Sequence, residues 1–129
     1  MLKHKVFAKI SNSHSITLEL DDSLAPKTVS AFVSNLPFSL KANIWGKEIY
    51  TDPAPFSVTL ENAKDLVELY DVAFWPPGNA ICLFYGPTPL GTKDQIKPYS
   101  PVNLIGKIVQ PDTKILSKIT DAKITFTKA

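Results

Sequence analysis

The most consequential absence in this sequence is arginine. All 14 basic residues are lysines, and they are scattered along a chain of 129 residues whose net charge is +2. Proteins that bind nucleic acid use arginine to contact phosphates and guanine edges, and they concentrate positive charge on one face. Since the sequence offers neither feature, we do not expect this chain to bind nucleic acid.

Cysteine is almost absent as well. The single cysteine, Cys82, excludes an intrachain disulfide and lies inside the apolar run of residues 81–84. A catalytic thiol needs a neighbouring histidine or a helix N-terminus to lower its pKa, and the local sequence supplies neither. We therefore interpret Cys82 as a small buried hydrophobic residue.

Long hydrophobic runs are also missing. No segment approaches the roughly 18 uninterrupted apolar residues that a membrane-spanning helix requires. Lysine and histidine interrupt residues 1–6, where a signal peptide would have its apolar stretch. We expect no contact with a membrane, and a cytoplasmic location is the default expectation.

The residues that are present suit one globular domain covering positions 1–129. The apolar fraction of 44% and the charged fraction of 20% are ordinary for such a domain. Apolar and polar residues alternate over residues 2–10 and 14–20, which predicts two half-buried strands joined by a turn at 11–13. This hairpin would pair Ile10 with His14 and His4 with Leu20.

One main helix is predicted to begin at Pro26, because proline suits the first helical turn, where its missing N–H costs nothing. Pro37 is predicted to end the helix. Between them, a stripe of apolar residues has helical spacing: Val29, Phe32, Val33 and Leu36.

The rest of the chain is predicted to be mainly β. Strands are expected over 39–45 and 47–51 around Gly46, over 57–60, within 66–75, and over 80–85, 102–110 and 123–127. Residues 76–79 and 86–89 are expected to form turns, 90–101 a loop, and 114–119 a short helical turn. About eight strands with little helix to cover them favour a closed β-barrel. Side chains fill the interior of a small barrel, so a ligand would bind on the outer wall or rim.

Two segments resemble cyclophilins. Residues 15–32, SITLELDDSLAPKTVSAF, are similar to the family's opening strand and its Ala/Val-Pro-Lys-Thr helix start. Residues 105–109 and 115–119 resemble its closing strand and short helix. The resemblance implies a cyclophilin-like closed barrel of about eight strands, with one main helix and a short second helical turn.

The middle of the chain is similar to a particular branch of that superfamily. The motifs WGKEIY at 45–50, WPPGNA at 75–80 and FYGPTP at 84–89 resemble short prokaryotic cyclophilin-like proteins of unassigned function. That branch keeps the eight-stranded barrel in a shorter chain.

The resemblance also identifies what this chain lacks for prolyl isomerisation. Cyclophilins aim an arginine from a Phe-His-Arg segment at the twisted proline amide, and amide resonance sets a rotational barrier of about 18–20 kcal/mol. This chain has no arginine, and lysine lacks the rigid, planar donor fork. Residues 90–101 are also too short for the family loop that supplies a further tryptophan and histidine. Efficient isomerase activity is therefore not expected.

The candidate ligand site is built around Glu48 and Tyr50. These residues are two apart on a predicted strand, so they face the side opposite to Ile49. If Ile49 fills the barrel, they lie on the outer wall, where cyclophilins bind ligands. The predicted ligand-binding residues are Trp45, Glu48, Tyr50, Trp75, Asn79, Phe84, Tyr85 and Thr88.

Structural interpretations of the same residues remain open. Glu48 and Tyr50 also fit an exposed strand face with an edge-blocking charge. The segment 75–79 fits a stiff turn that Asn79 closes with its side chain, and 86–89 fits a similar turn.

No catalytic or metal-binding constellation is visible. On the predicted hairpin, His4 and His14 lie roughly 20 Å apart and cannot share a metal. Neither a Gly-x-Ser-x-Gly motif nor a phosphate-binding glycine pattern is present, so no cofactor is expected.

The leading hypothesis is a binding module for a small molecule or a short peptide, including one that contains proline. The alternatives are a weak prolyl isomerase, a subunit of an amide-processing enzyme, which rests on the resemblance alone, and a structural partner or homodimer.

Overall fold

The computed structural model describes residues 2–11, 14–92, 94–119 and 121–129. These residues form eight strands, two α-helices and one 3₁₀ turn. In chain order, the elements are β1 (Lys3–Ile10), β2 (His14–Asp21), α1 (Pro26–Ser34), β3 (Phe38–Trp45), β4 (Glu48–Thr51), β5 (Asp71–Trp75), the 3₁₀ turn (Pro76–Gly78), β6 (Ala80–Phe84), β7 (Asn103–Val109), α2 (Thr113–Leu116) and β8 (Lys123–Lys128).

The eight strands close into an antiparallel barrel in the order β1-β2-β7-β5-β6-β4-β3-β8, which confirms the predicted fold class. Ile10 lies opposite His14 and His4 opposite Leu20, which is the register that the alternation predicted. On β1, Val6 is fully buried while the lysines of that strand are exposed. On this strand the barrel core therefore contains every second residue, namely Val6, Ala8 and Ile10, as the period of the β-strand requires.

Helix α1 packs its apolar stripe onto the barrel core. The ring of Phe32 has its centroid 5.4 Å from that of Phe38, 5.9 Å from Phe56 and 5.5 Å from Phe126. The two α-helices have only nine and four residues. Among the helices described, none is long and apolar enough to cross a membrane.

Strand β6 is buried on both faces, since all five of its residues are buried. Its inward residues belong to the barrel core. Its outward residues pack in a second apolar layer beneath the segments on either side of β5 and β7. We call this layer the outer cluster, and it consists of Val67, Ala73, Ala80, Cys82, Phe84 and Val102.

The predicted strand at 57–60 is wrong. This segment crosses the molecule without joining the sheet, because the barrel is closed and offers it no free edge. Side-chain groups take the place of a ladder: Asn103 donates from Nδ2 to Thr59 O at 3.0 Å and accepts from Glu61 N at 2.7 Å.

The same segment caps helix α1. The N-cap residue, Ala25, has no side-chain acceptor. Instead, the Glu61 carboxylate accepts from Lys27 N at 2.9 Å, from Thr28 N at 2.9 Å and from Thr28 Oγ1 at 2.8 Å. Burial opposes ionisation of Glu61, but these hydrogen bonds outweigh it and lower the pKa of the carboxyl. A carboxylate here satisfies free N–H groups and favours the helix dipole.

We expect Glu61→Ala to lower the free energy of unfolding by about 1–3 kcal/mol, because three donors lose their acceptor. The control is Glu68→Ala, whose side chain is 84% exposed and approaches Lys107 at 3.9 Å; it is expected to change stability by less than about 0.5 kcal/mol. Urea unfolding at pH 7 measures both variants.

The loss in Glu61→Ala has a defined pH dependence. Because the folded-state pKa is lowered, the stabilisation is present above the unfolded-state pKa and disappears as the pH falls through the folded-state value. Equal effects of the two substitutions at pH 7 would contradict the capping role of Glu61.

Candidate functional site

A partly enclosed cavity of ≈ 250 Å³ lies on the outer wall of the barrel. Strands β3, β4, β5 and β6 contribute side chains to it, and so does the segment that leads into β7. Its lining residues are Trp45, Glu48, Tyr50, Trp75, Cys82, Pro98, Tyr99 and Val102.

The alternation of β4 directs Glu48 and Tyr50 to this cavity. Ile49 is fully buried in the barrel core, so its two neighbours face outward. Glu48 lies opposite Trp45 on β3, and Tyr50 lies opposite Cys82 on β6. Three adjacent strands therefore present their outward side chains to one space.

The hairpin turn between β3 and β4 packs closely against the segment after β6 and is hydrogen-bonded to it. Gly46 has a left-handed φ of 60°, and a Cβ there would lie 2.7 Å from Pro89 Cδ. Lys47 N donates to Pro87 O at 2.9 Å. Only glycine fits both the backbone conformation and the close approach, and this fit sets the start of β4.

Glu48 is the most unusual residue of the cavity. It is only 6% exposed, and its Oε1 has no hydrogen-bond partner among the described atoms. Burial raises the pKa of this carboxyl to about 7, while the neighbouring Cys82 thiol partly opposes the shift. A buried acid without a basic partner favours its neutral form in this way.

Cys82 lies beside Glu48 and is kept as a thiol. Burial, and then the charge of Glu48, raises the pKa of Cys82 well above its ordinary value. Its Sγ is 3.9 Å from Ala80 O. Since a reactive cysteine needs a lowered pKa, Cys82 acts here as an apolar wall residue.

Aromatic rings form the sides of the cavity. The ring of Tyr99 stands nearly perpendicular to those of Trp45 and Trp75, with centroid distances of 6.1 and 5.8 Å. Trp75 Nε1 donates to Ser100 Oγ at 2.6 Å. The face of the Trp75 ring lies over Gly78, where a Cβ would come within 2.6 Å of Cζ3. These two contacts fix the position of the Trp75 ring.

The structure brings together four of the eight predicted site residues, namely Trp45, Glu48, Tyr50 and Trp75. The other four are not among the cavity's lining residues. Phe84 packs in the outer cluster and Tyr85 in the barrel core.

Asn79 and Thr88 support the surrounding structure instead. Asn79 has a left-handed φ of 50° and closes the 3₁₀ turn through its backbone N–H to Pro76 O, not through its side chain. Thr88 Oγ1 donates to Lys97 O, which ties down the segment that carries Pro98 and Tyr99.

Sequence reasoning missed Cys82, Pro98, Tyr99 and Val102. Cys82 was detectable, since the β4–β6 register places it opposite Tyr50. Pro98 and Tyr99 lie in the predicted loop 90–101, whose path depends on contacts such as Val67 N to Ile96 O at 3.0 Å. The sequence pattern of the loop itself does not predict the path that these tertiary contacts give it.

Among the described residues that line the cavity, Glu48 is the sole one with a carboxyl group. Over the described ranges of the chain, no group of three His, Cys, Asp or Glu side chains is arranged to hold a metal ion. The geometry suits an organic ligand that has an apolar body and one polar group facing Glu48.

Comparison with known proteins agrees with this architecture. A family model described as cyclophilin-like matches residues 4–127. The solution structure of the hypothetical protein AF2241 from Archaeoglobus fulgidus is similar over 98% of this chain and 95% of that protein, with 40% sequence identity and a TM-score of 0.81. No curated protein matches the chain.

The burial of Glu48 predicts a measurable effect on stability. Its folded-state pKa of about 7 lies above the ordinary value of 4.5, so the unfolded chain loses this proton first. The contribution of Glu48 to the free energy of unfolding therefore falls as the pH rises from 4.5 to 7 and is constant above that range. We expect Glu48→Gln to remove this fall. The free energy of unfolding of the variant, relative to that of the wild type, should therefore be roughly 3 kcal/mol higher at pH 8 than at pH 4.

Urea unfolding of both proteins at the two pH values measures this difference, and the subtraction cancels the other titrating groups. If the free energies of unfolding of Glu48→Gln and the wild type differed by the same amount at pH 4 and at pH 8, Glu48 would have an ordinary pKa.

Proposed function

The chain belongs to the cyclophilin-like family, and we propose that it is a binding module that holds a small organic molecule, or part of a short peptide, in the outer-wall cavity. The observation that carries this proposal is the buried carboxyl of Glu48, whose Oε1 has no hydrogen-bond partner among the described residues, in a cavity lined by four aromatic rings. A buried polar atom without a hydrogen bond costs about 1–3 kcal/mol. A ligand with a suitable polar group would remove that cost.

The size of the cavity limits its occupant. Its ≈ 250 Å³ lies just below the roughly 300–1,000 Å³ of pockets that take drug-sized ligands. One small molecule, or one or two side chains of a peptide, would fill it. A predominantly apolar lining with few polar groups is typical of such sites.

The aromatic walls support binding of an apolar body. Trp45 and Trp75 are each partly buried, and Trp75 is fixed by Ser100. Because these rings are already ordered, a ligand would not bear the entropic cost of ordering them. Tyr99, at 69% exposed, is placed to cover a bound molecule.

Efficient prolyl isomerisation is not part of this proposal. The twisted amide nitrogen needs a well-placed donor, and the chain contains no arginine to supply one. The indole N–H of Trp75 already donates to Ser100. A role in an amide-processing enzyme stays a prediction, since no observation on this chain favours it.

Binding can be tested through the chain's two tryptophans, both of which line the cavity. We expect the indole N–H signals of ¹⁵N-labelled protein to shift on addition of small soluble probes, namely phenol, benzyl alcohol, benzylamine, choline and an Ala-Pro tetrapeptide. Tyr99→Ala should weaken binding of the probe with the largest shift by about fivefold, since it removes an aromatic contact worth roughly 1 kcal/mol.

Phe7→Ala is the matched control. Phe7 is an exposed aromatic residue on β1, on the opposite side of the barrel from β6, so its loss should leave binding unchanged. The proposal is wrong if no probe moves either indole signal, or if Phe7→Ala weakens binding as much as Tyr99→Ala does.

The same tetrapeptide tests isomerisation. We expect cis–trans exchange of its Ala-Pro bond to keep the uncatalysed time of tens to hundreds of seconds in the presence of the protein. NMR exchange spectroscopy measures this rate directly. Exchange on the subsecond timescale at catalytic protein concentration would contradict the inference drawn from the missing arginine.

A further inference from the structure

We propose that the outer-wall cavity recognises an organic cation, namely an ammonium or quaternary ammonium group carried by a small molecule or a peptide. This inference rests on the proposed binding function and names the chemical class of the ligand. Its basis is the placement of Trp45, Trp75 and Tyr99 around a cavity whose only carboxyl belongs to Glu48.

The ring geometry is the first argument. Cations are attracted to the face of an aromatic ring within about 6 Å of its centroid, and tryptophan is the strongest partner. Tyr99 stands at 71° to Trp45 and at 87° to Trp75. The rings therefore form walls that meet at angles rather than a parallel stack, so one rounded cationic group can contact more than one of them.

The charge of the lining is the second argument. Its titratable side chains are those of Glu48 and Tyr50 from β4, Cys82 from β6, and Tyr99 from the segment before β7. Trp45 and Trp75 are the lining residues of β3 and β5, and they carry no charge. Among the described residues, no lysine or histidine lines the cavity, so none of them places a cation beside ionised Glu48.

The carboxyl of Glu48 is the third argument. An anionic ligand would face ionised Glu48 without a positive partner among the described lining residues. A neutral ligand whose acceptor oxygen faces Glu48 would require this carboxyl to stay protonated. A cation instead supplies the opposite charge to the carboxylate and fits the faces of the rings.

The cationic and neutral alternatives differ in their response to pH. A cation binds the ionised form of Glu48, whose pKa burial raises to about 7. Its affinity should rise about tenfold between pH 6 and pH 8, following the ionised fraction of Glu48. A neutral acceptor that uses protonated Glu48 would show the reverse dependence.

The test uses choline and its neutral isostere, 3,3-dimethylbutan-1-ol, in which carbon replaces the charged nitrogen. Both are titrated into ¹⁵N-labelled protein while the indole N–H signals of Trp45 and Trp75 are followed at pH 6 and pH 8. We expect choline to bind at least tenfold more tightly than the alcohol at pH 8. Only choline should bind more tightly as the pH rises.

Two variants separate recognition of the charge from simple packing. Glu48→Gln should abolish the pH dependence of choline binding and reduce, but not remove, the preference for choline, because the rings remain; the urea unfolding described above checks that the variant is folded. Trp45→Leu keeps an apolar wall but removes one ring, so it should weaken choline more than the alcohol, with Trp75 as the remaining reporter. Phe7→Ala should change neither.

Equal affinity for choline and the alcohol would overturn the cation inference and leave the binding module in place. A rise in choline affinity between pH 6 and pH 8 that survives in Glu48→Gln would also overturn it. If neither compound moves an indole signal while another probe of the panel does, the cavity binds ligands of a different class.

Discussion

The strict alternation of a strand in a closed barrel is the constraint on which the site depends. In β4, Ile49 occupies the barrel core, so Glu48 and Tyr50 must face outward. On most barrels an outward acid would be solvated. Here the outward face of this part of the barrel is covered, and Glu48 is left 6% exposed with one oxygen unpaired. Burial of an ionisable group without a partner is destabilising, and the rest of the fold must offset its cost.

Two long segments make that burial possible without being strands. The segment between β4 and β5 is held to helix α1 by Glu61 and to β7 by Asn103. The segment between β6 and β7 is held by the hydrogen bond from Thr88 Oγ1 to Lys97 O and by the backbone hydrogen bond from Val67 N to Ile96 O. Together with the outer cluster, they form a second layer on the barrel, and the cavity opens within that layer.

Much of the fold follows from local pattern, because period-two alternation and proline or glycine punctuation are local signals. The pairing of Ile10 with His14 and the helix start at Pro26 were both predicted in this way. The strand at 57–60 was not correctly predicted, since its alternation is real but a closed barrel has no edge to pair it. The cap of α1 by Glu61 joins residues 33 positions apart, which no local pattern reveals.

The site was predictable only where strand geometry controls it. Glu48 and Tyr50 follow from alternation, and the tryptophans from their motifs. Tyr99 does not, because its position depends on tertiary contacts of an irregular loop. Phe84 has the outward direction expected of β6, but the second layer covers it. Whether an outward residue meets a ligand or a covering loop depends on long-range packing, which sequence pattern does not report.

Glu48 is a buried acid that has no basic partner among the described lining residues, and the NMR signal of its carboxyl carbon reports its titration directly. Specific ¹³C labelling of glutamate, assigned with Glu48→Gln, gives its titration by NMR. The account predicts a midpoint near pH 7 in the free protein, which moves to lower pH when choline is added. A midpoint near the ordinary value of 4.5, unchanged by choline, would contradict it.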